Sequence, residues 1–195
     1  IRSFFAASAS MSKKKKTKTA EGQLKASALG ASSSTQSSGD DEQQQHEEAR
    51  EVTAYGVWVS EIMLQQTRVE AVIPYWLKWM NSFPTVYDLA SATDEEVNSH
   101  WAGLGFYRRA RLLHAGAKRV VEEYNGVVPN TVEELMKVEG IGRYTASAVC
   151  SIAYGVEVPV VDGNVCRVLS RLAGIANHIK APVMKDDIGW IMANK

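Results

Sequence analysis

Large apolar side chains recur at helical spacing only from about Tyr55 onward. The stretch "VWVSEIMLQQTRVEAVIPYWLKWMNSF" follows this period, and Pro74 within it predicts a helix break or a helix start. Strand signals are weak, because "VEVPVV" is short and contains Pro159. The pattern therefore predicts an all-α fold in which short helices are joined by short turns.

Capping residues divide this pattern into separate helices. "SATDEEV" and "PNTVEEL" each place a Thr three residues before a Glu, which predicts capping boxes at Thr93 with Glu96 and at Thr131 with Glu134. In "YNG", Gly126 is a candidate for the residue that follows a helix end. These signals place helix boundaries without defining how the helices pack.

Residues 1–50 are rich in Ser, Gln, Lys, Ala and acidic residues. Such a segment buries too little apolar surface to repay the entropy of folding, so we interpret residues 1–50 as a disordered low-complexity tail and residues 51–195 as the folded domain. "KKKKTK" fits a nuclear address or a solvated basic run equally well. "IRSFFAASAS" resembles part of a mitochondrial transit peptide; the alternative, which we favour, is a fragment or translated sequence upstream of a start at Met11.

Charge and cysteine content exclude few classes of function. The chain carries 22 basic and 22 acidic residues, so it lacks a global basic signature of nucleic-acid binding, although local patches carry such interactions. Cys150 and Cys166 are too few for a disulfide framework or a four-thiolate metal site, and their apolar neighbours predict buried free thiols. No apolar run reaches about 18 residues, which predicts no membrane span.

The stretch "VEGIGRYTASAV" separates two helical segments by "GIG" alone. "TVEELMKVEG" predicts a helix up to Gly140, and "YTASAVCSIAYG" predicts a helix up to Gly155. The free N–H groups at the start of the second helix, after Gly142, are suited to binding one phosphate. Most G-x-G sequences between helices are plain turns, so the motif alone leaves both interpretations open.

Two carboxyl groups are the candidates for acid chemistry. Glu61 lies among large apolar residues, where burial would raise its pKa and make it a proton donor; the alternative is the polar edge of an amphipathic helix. Asp162 predicts the N-cap of a helix, and the N–H groups it accepts favour its anionic form. The apolar face of that helix comprises Val165, Val168, Leu169 and Leu172. An acid paired with an anion is the arrangement that cleaves glycosidic bonds, although a plain cap explains Asp162 taken singly.

Four segments taken together are far more specific than any one of them. "VWVSEIMLQQTRVEAVIPY", "LASATDEEVNSHWAGLGFYRRARLLHAGAKRVV", "VEGIGRYTASAVCSIAYG" and "VPVVDGNVCRVLSRL" closely resemble adenine DNA glycosylases of the MutY type, over about residues 53–175. The resemblance implies an all-α helix–hairpin–helix glycosylase fold with its six-helix barrel part largely present and its iron–sulfur part incomplete. It also implies a monomer that removes adenine mispaired with 8-oxoguanine or guanine in double-stranded DNA during base excision repair, after flipping the base out of the duplex.

The resemblance also implies a role for individual residues. Glu61 matches the acid that protonates adenine at N7, and Asp162 matches the carboxylate that stabilises the sugar cation. Asn164 and Tyr144 match residues that support that centre. The implied DNA-binding residues are Gln65, Gln66, Thr67, Leu104, Phe106, Gly140 and Gly142. Relatives that also cut the strand carry a Lys nucleophile where this chain has Tyr144, so we expect base removal without strand cleavage.

The chain departs from the family pattern at several places. Glu139 stands where the family has Pro, which predicts a weaker hold on phosphate, and Phe106 stands where it has Tyr, which keeps base stacking but removes a hydroxyl. The upstream "LPWR"-like segment and the four downstream cluster cysteines have no counterpart up to Lys195. We therefore expect no [4Fe–4S] cluster in this chain and looser placement of Asp162. Two alternatives stay open: a glycosylase for another mismatched base, and a catalytically impaired DNA-binding remnant.

Overall fold

The computed structural model describes residues 52–176, 181 and 183–194, and all regular structure within them is helical. The helices are α1 Ala54–Leu64, α2 Val69–Ser82, α3 Val86–Ser91, α4 Asp94–Trp101, α5 Arg108–Tyr124, α6 Val132–Leu135, α7 Arg143–Tyr154, α8 Gly163–Leu172 and α9 Gly189–Ala193, with a π-helical turn, Val183–Ile188, before α9. The predicted all-α class is confirmed. None of the described helices is long and apolar enough to cross a bilayer. The predictions for the tail, residues 1–50, lie outside the described residues.

Helix α1 forms the centre of the fold. It packs against α2, α5 and α7, and every residue from Tyr55 to Met63 is buried. A helix that is apolar around its whole circumference has no face to offer to water, so it becomes a core helix. Because every side of α1 is buried, Glu61 lies in the interior of the fold.

Three hydrogen bonds join α1 to the end of α2. The hydroxyl of Tyr55 donates to the carbonyl of Phe83 at 3.1 Å, and the indole N–H of Trp79 donates to the same hydroxyl at 3.2 Å. The indole N–H of Trp76 donates to the Gly56 carbonyl at 3.1 Å. Since these groups are buried, the bonds fix the register of the two helices as well as satisfying their polar atoms.

The capping signals are largely confirmed. Thr93 and Glu96 form a complete capping box at the start of α4. The hydroxyl of Thr131 accepts from the backbone N–H of Glu134, but the Glu134 carboxylate binds Lys137 and Tyr124 instead of returning to the cap. After α5, Asn125 and Gly126 both adopt left-handed backbone conformations, as the helix-end signal predicted.

Two predicted boundaries are wrong, and each has a physical cause. Pro74 lies inside α2 rather than at a break, because the buried side chains of Ile73 and Trp76 hold that part of the helix against the core. The helix predicted up to Gly140 ends at Leu135. Beyond it, the Arg119 guanidinium donates to the Lys137 carbonyl, which an α-helix would pair with the N–H of residue 141.

The apolar face predicted for α8 is only partly buried. Val168 is 59% exposed and Leu172 is 83% exposed, whereas Cys166 is buried. The cluster that α8 does form contains Cys166, Val161 and Trp190, the last from α9. Helix α8 therefore packs against this cluster through Cys166 and Val165, so only part of the predicted apolar face takes part.

Candidate active site

Glu61 is a buried carboxyl group in the core helix. Only 3% of the residue is exposed, and its Oε1 atom is buried without a hydrogen-bond partner. Burial raises the pKa of Glu61 because the charged form loses its hydration, and a hydrogen bond from the Tyr144 side chain opposes part of that rise. The sequence left open a solvent-facing edge for this residue; the structure places it in the interior, where the neutral acid is favoured.

Tyr144 connects the two candidate carboxyl groups. It occupies the first turn of α7, which packs against α1, and it is half-buried. The pKa of its hydroxyl is raised first by burial, then by the charge of Glu61 and the hydrogen bond with it, and also by the charge of Asp162. Tyr144 thus hydrogen-bonds Glu61 and lies within electrostatic reach of Asp162, which in turn binds Asn164.

Asp162 is held by the start of α8. Its Oδ1 accepts from the backbone N–H groups of Asn164 at 2.9 Å and Val165 at 2.8 Å, which confirms the predicted N-cap. Its Oδ2 accepts from the Asn164 side-chain amide at 2.8 Å, and Arg167 donates to the other end of that amide at 2.8 Å. Three N–H donors fix the orientation of this carboxylate.

The buried acid gives the protein a pH-dependent stability. Because the folded-state pKa of Glu61 lies above its ordinary value of 4.5, the folded state holds this proton more tightly than the unfolded state does. The free energy of unfolding should therefore fall, relative to Glu61→Gln, as pH rises from about 4.5 through the raised pKa, and the gap should then level off. Urea unfolding of both proteins between pH 4 and 8 measures it.

The same substitution at an exposed residue of α2, Glu70→Gln, is the control for that comparison. It removes one carboxylate without emptying a buried site. A gap between the wild-type chain and Glu61→Gln that stays constant over the pH range would contradict the raised pKa.

The glycine hairpin has two glycines with different roles. Gly140 has φ +78°, and an added Cβ would lie 2.8 Å from the Cβ of Leu112 in α5. Gly142 has ordinary backbone angles, and an added Cβ would meet nothing within 4 Å. It precedes α7 as an N-cap without a side chain, so no cap side chain binds the first N–H groups of α7.

This difference predicts that alanine substitutions at the two glycines affect stability unequally. Gly140→Ala should lower the free energy of unfolding by about 1–3 kcal/mol, because it combines a left-handed backbone with a steric overlap. Gly142→Ala should change it by less than about 0.5 kcal/mol. Chemical denaturation of the two variants side by side measures both effects, and equal losses would contradict this account of the hairpin.

Helix α5 supports the first arm of the hairpin. Arg119 donates to the Lys137 carbonyl at 2.6 Å and forms an ion pair with Glu139 at 3.1 Å. A Cβ on Gly116 would lie 2.9 Å from the Glu139 carbonyl, so only glycine permits this close approach. Since Glu139 is paired with Arg119, its charge is partly neutralised, and the repulsion of phosphate predicted from the sequence is reduced accordingly.

The remaining predicted DNA-binding residues form a second surface. Gln65, Gln66 and Phe106 line a groove of about 290 Å³ together with residues of α5. Phe106 is 63% exposed, whereas Leu104 in the same loop is buried. Thr67 is partly buried beside the groove.

Sequence reasoning missed Arg109. This residue is 9% exposed, and its guanidinium donates to backbone carbonyls on both sides of the groove. The sequence "FYRRARLL" contains three arginines close together, and they look alike by residue type. The one signal that distinguishes Arg109 is its position beside Ala110 on the core-facing side of α5.

The two cysteines do not fit an iron–sulfur cluster. Cys150 and Cys166 are buried thiols on α7 and α8, and the Cys150 thiol donates to the Asn130 carbonyl. Within the described ranges, there is no group of three His, Cys, Asp or Glu side chains that could hold a metal ion.

A buried acid, a capped carboxylate and a glycine hairpin on short helices define the class of helix–hairpin–helix DNA glycosylases. Residues 59–190 match the HhH-GPD superfamily of base excision DNA repair proteins, and the chain belongs to this family.

Within the family, the chain is similar to adenine DNA glycosylases. It is 58% identical over 143 residues to the human protein, which is 73% of this chain and 26% of that one. It is 52% identical over 153 residues to the Arabidopsis thaliana protein, which is 69% of this chain and 24% of that one. A solved endonuclease III–DNA complex matches with a TM-score of 0.60 and 28% identity, over 65% of this chain and 61% of that one. The chain thus spans about a quarter of the length of these two curated relatives.

Proposed function

We propose that this chain carries the catalytic part of a monofunctional adenine DNA glycosylase that removes adenine opposite 8-oxoguanine or guanine. The observation that carries the proposal is the pairing of a buried Glu61, whose pKa is raised, with an Asp162 that accepts three N–H groups. The similarity to the human and plant adenine DNA glycosylases supports adenine as the base. The partner is double-stranded DNA, bound by a monomer, and a nuclear location fits these eukaryotic relatives.

The chemistry follows from the protonation states. Neutral Glu61 gives its proton to N7 of the flipped adenine, and the electrons of the bond between N9 and C1′ then leave with the base. Anionic Asp162 stabilises the positive charge that develops on the sugar, with Asn164 holding its orientation. Water adds to C1′ and gives up a proton to the Glu61 carboxylate, which restores the neutral acid and completes the hydrolysis. Tyr144 links the acid to the anion.

Tyr144 supports the monofunctional part of the proposal. A strand-cutting mechanism through an imine needs an amine at this position, and a phenol cannot form one. The neighbouring Arg143 does not replace it, because a guanidinium stays protonated, and its own packs over the Trp190 ring at 4.0 Å. The abasic site is therefore the expected end product.

The test is an excision assay on duplexes that carry one defined mispair. The chain is incubated with adenine opposite 8-oxoguanine, and alkali then reveals abasic sites; duplexes with A opposite T, and with T or U opposite G, are run in parallel. Cleavage after alkali in the first duplex alone is the expected result. Strand cleavage before alkali would contradict the monofunctional assignment.

Two other outcomes favour the alternatives. Excision of T or U opposite G, with adenine left intact, indicates a glycosylase for another base. Binding of the mispair without excision of any base indicates a DNA-binding part that lacks activity. Both outcomes overturn the proposal.

A further inference from the structure

The guanidinium of Arg109 joins two separate loops of the chain. Its NH1 donates to the carbonyls of Ile62, Met63 and Gln65 at 3.0, 3.0 and 2.6 Å. Its NH2 donates to the Gly105 carbonyl at 3.2 Å and to the Thr67 hydroxyl at 3.4 Å. One side chain therefore cross-links the segment after α1, residues 65–68, to the segment before α5, residues 104–107.

Each of these loops contains a residue in a strained conformation. Gln66 has φ +56° and Phe106 has φ +51°, a region in which side chains other than glycine cost about 1–2 kcal/mol. Such backbone conformations persist only where contacts with the surrounding structure hold them in place. One buried group, Arg109, contacts both loops, and the indole N–H of Trp101 also donates to the Gly105 carbonyl at 2.9 Å.

The contacts fall on the peptide groups that set these angles. The Gln65 carbonyl belongs to the peptide plane that ends at the N–H of Gln66, and the Gly105 carbonyl belongs to the plane that ends at the N–H of Phe106. Arg109 donates to both carbonyls. It therefore helps to hold the peptide plane that precedes each strained residue, and it shares the Gly105 carbonyl with the indole N–H of Trp101.

Electrostatics keep the guanidinium in this position although it is buried. Burial lowers its pKa, since the charged form loses hydration, but the carbonyls at the C-terminal end of α1 present the negative end of that helix to it. Its central carbon lies 5.4 Å from the Trp101 ring and 5.3 Å from the Phe106 ring, within the range of a cation–π contact. Arg109 thus contacts the Phe106 ring as well as the backbone before it.

The two loops present their strained side chains to the same groove. Gln66 and Phe106 line it together with Arg108, and all three are exposed. An exposed aromatic ring beside an amide and a cation is a surface on which a nucleobase can stack and form hydrogen bonds.

We propose that Arg109 is a positioning residue that holds Gln66 and Phe106 in one groove so that they recognise the purine opposite the excised base. The inference rests on the proposed function for the identity of that purine, and on the geometry alone for the coupling of the two loops. Arg109 also lines the floor of this groove, but the role proposed for it is to hold the two loops. It sets selectivity between 8-oxoguanine and guanine, while Glu61 and Asp162 perform the bond cleavage.

The first test uses the free chain and no DNA. Arg109→Lys keeps the positive charge but has one ammonium group, which cannot reach both loops as the guanidinium fork does. Amide hydrogen exchange should become about tenfold faster in residues 64–68 and 104–107 together, the scale set by losing charge-assisted hydrogen bonds. Exchange in α2 and α3 should stay unchanged. The matched control is Arg111→Lys, an exposed arginine on the same helix.

The second test measures selectivity. The affinity for A opposite 8-oxoguanine relative to A opposite guanine should fall about tenfold in Arg109→Lys, and the excision rate with saturating protein should change less than about threefold. Combining Arg109→Lys with Phe106→Ala should add little further loss, because both changes disable the same contact surface.

Faster exchange in only one loop, or in every helix, would overturn the coupling and leave Arg109 as an ordinary stabilising residue. Faster exchange in both loops with an unchanged preference for 8-oxoguanine would overturn the selectivity role. If the wild-type chain excises no adenine and binds no mispair, the proposed function fails, and the exchange experiment still decides whether Arg109 couples the loops.

Discussion

Replacing Glu61 by Gln should lower the rate of adenine excision by about a thousandfold, the middle of the range for removing a positioned general acid. Gln has the size of Glu, so the packing of α1 against α2, α5 and α7 is kept, but an amide has no acidic proton to give to N7. Single-turnover excision of A opposite 8-oxoguanine, with the protein in excess, measures this loss without interference from product release.

The same substitution should lower neither the affinity for DNA nor the stability of the fold as it lowers the excision rate. The affinity for the mispaired duplex should change less than about threefold, because Glu61 lies in the core and outside the groove that Phe106 lines. At pH 7 the Gln variant should be at least as stable as the wild-type chain, since it removes a buried ionisable group without a partner at Oε1. A residue that lowers stability while it supports chemistry is typical of an active site.

The exposed Glu70→Gln serves as the matched control in the excision assay as well. It should retain the wild-type rate. Retention of more than about a tenth of the rate by Glu61→Gln would exclude Glu61 as the main proton donor, because a general acid contributes at least about a hundredfold. Tyr144, the neighbouring hydroxyl, would then be the next residue to test.

The sequence predicts the fold class and the helix caps better than it predicts where the helices end. Thr93 and Asp162 are recognisable as caps because a cap depends on three or four consecutive residues, and both are confirmed. Glu61 could not be decided from its neighbours alone. Its burial follows from α1 contacting three other helices, which is a property of the tertiary fold.

The failed boundaries show what local patterns omit. The helix after Thr131 stops at Leu135, where the N–H groups of Lys137 and Val138 bond to carbonyls three residues back, and Arg119 binds the Lys137 carbonyl beyond it. Pro74 fails to break α2 because buried neighbours hold the helix in place. The positive φ angles of Gln66 and Phe106 coincide with contacts from Arg109, which is far from Gln66 in the sequence but only three residues after Phe106. In these cases contacts formed in the tertiary fold override the local preference.

Two substitutions of Asp162 should separate the effect of its charge from its effect as a helix cap. Asp162→Asn should lower excision by about a hundredfold to a thousandfold, because the anion that stabilises the sugar cation is lost. An Asn side chain can still accept from the N–H groups of Asn164 and Val165, so the cap survives and the free energy of unfolding should fall by less than about 1 kcal/mol. Asp162→Ala should lose both the charge and the cap.

A cap on another helix supplies the comparison that separates the two roles. Thr93→Ala removes the cap of α4, so it should cost about 1 kcal/mol of stability, as the cap component of Asp162→Ala does. It should leave excision unchanged, because α4 carries no residue of the site. Single-turnover excision measures the activity of Asp162→Asn, Asp162→Ala and Thr93→Ala, and urea unfolding measures their stability. If Asp162→Asn retained full activity, or if Thr93→Ala lost as much activity as Asp162→Ala, Asp162 would be a structural cap alone and the charge would play no part in the chemistry.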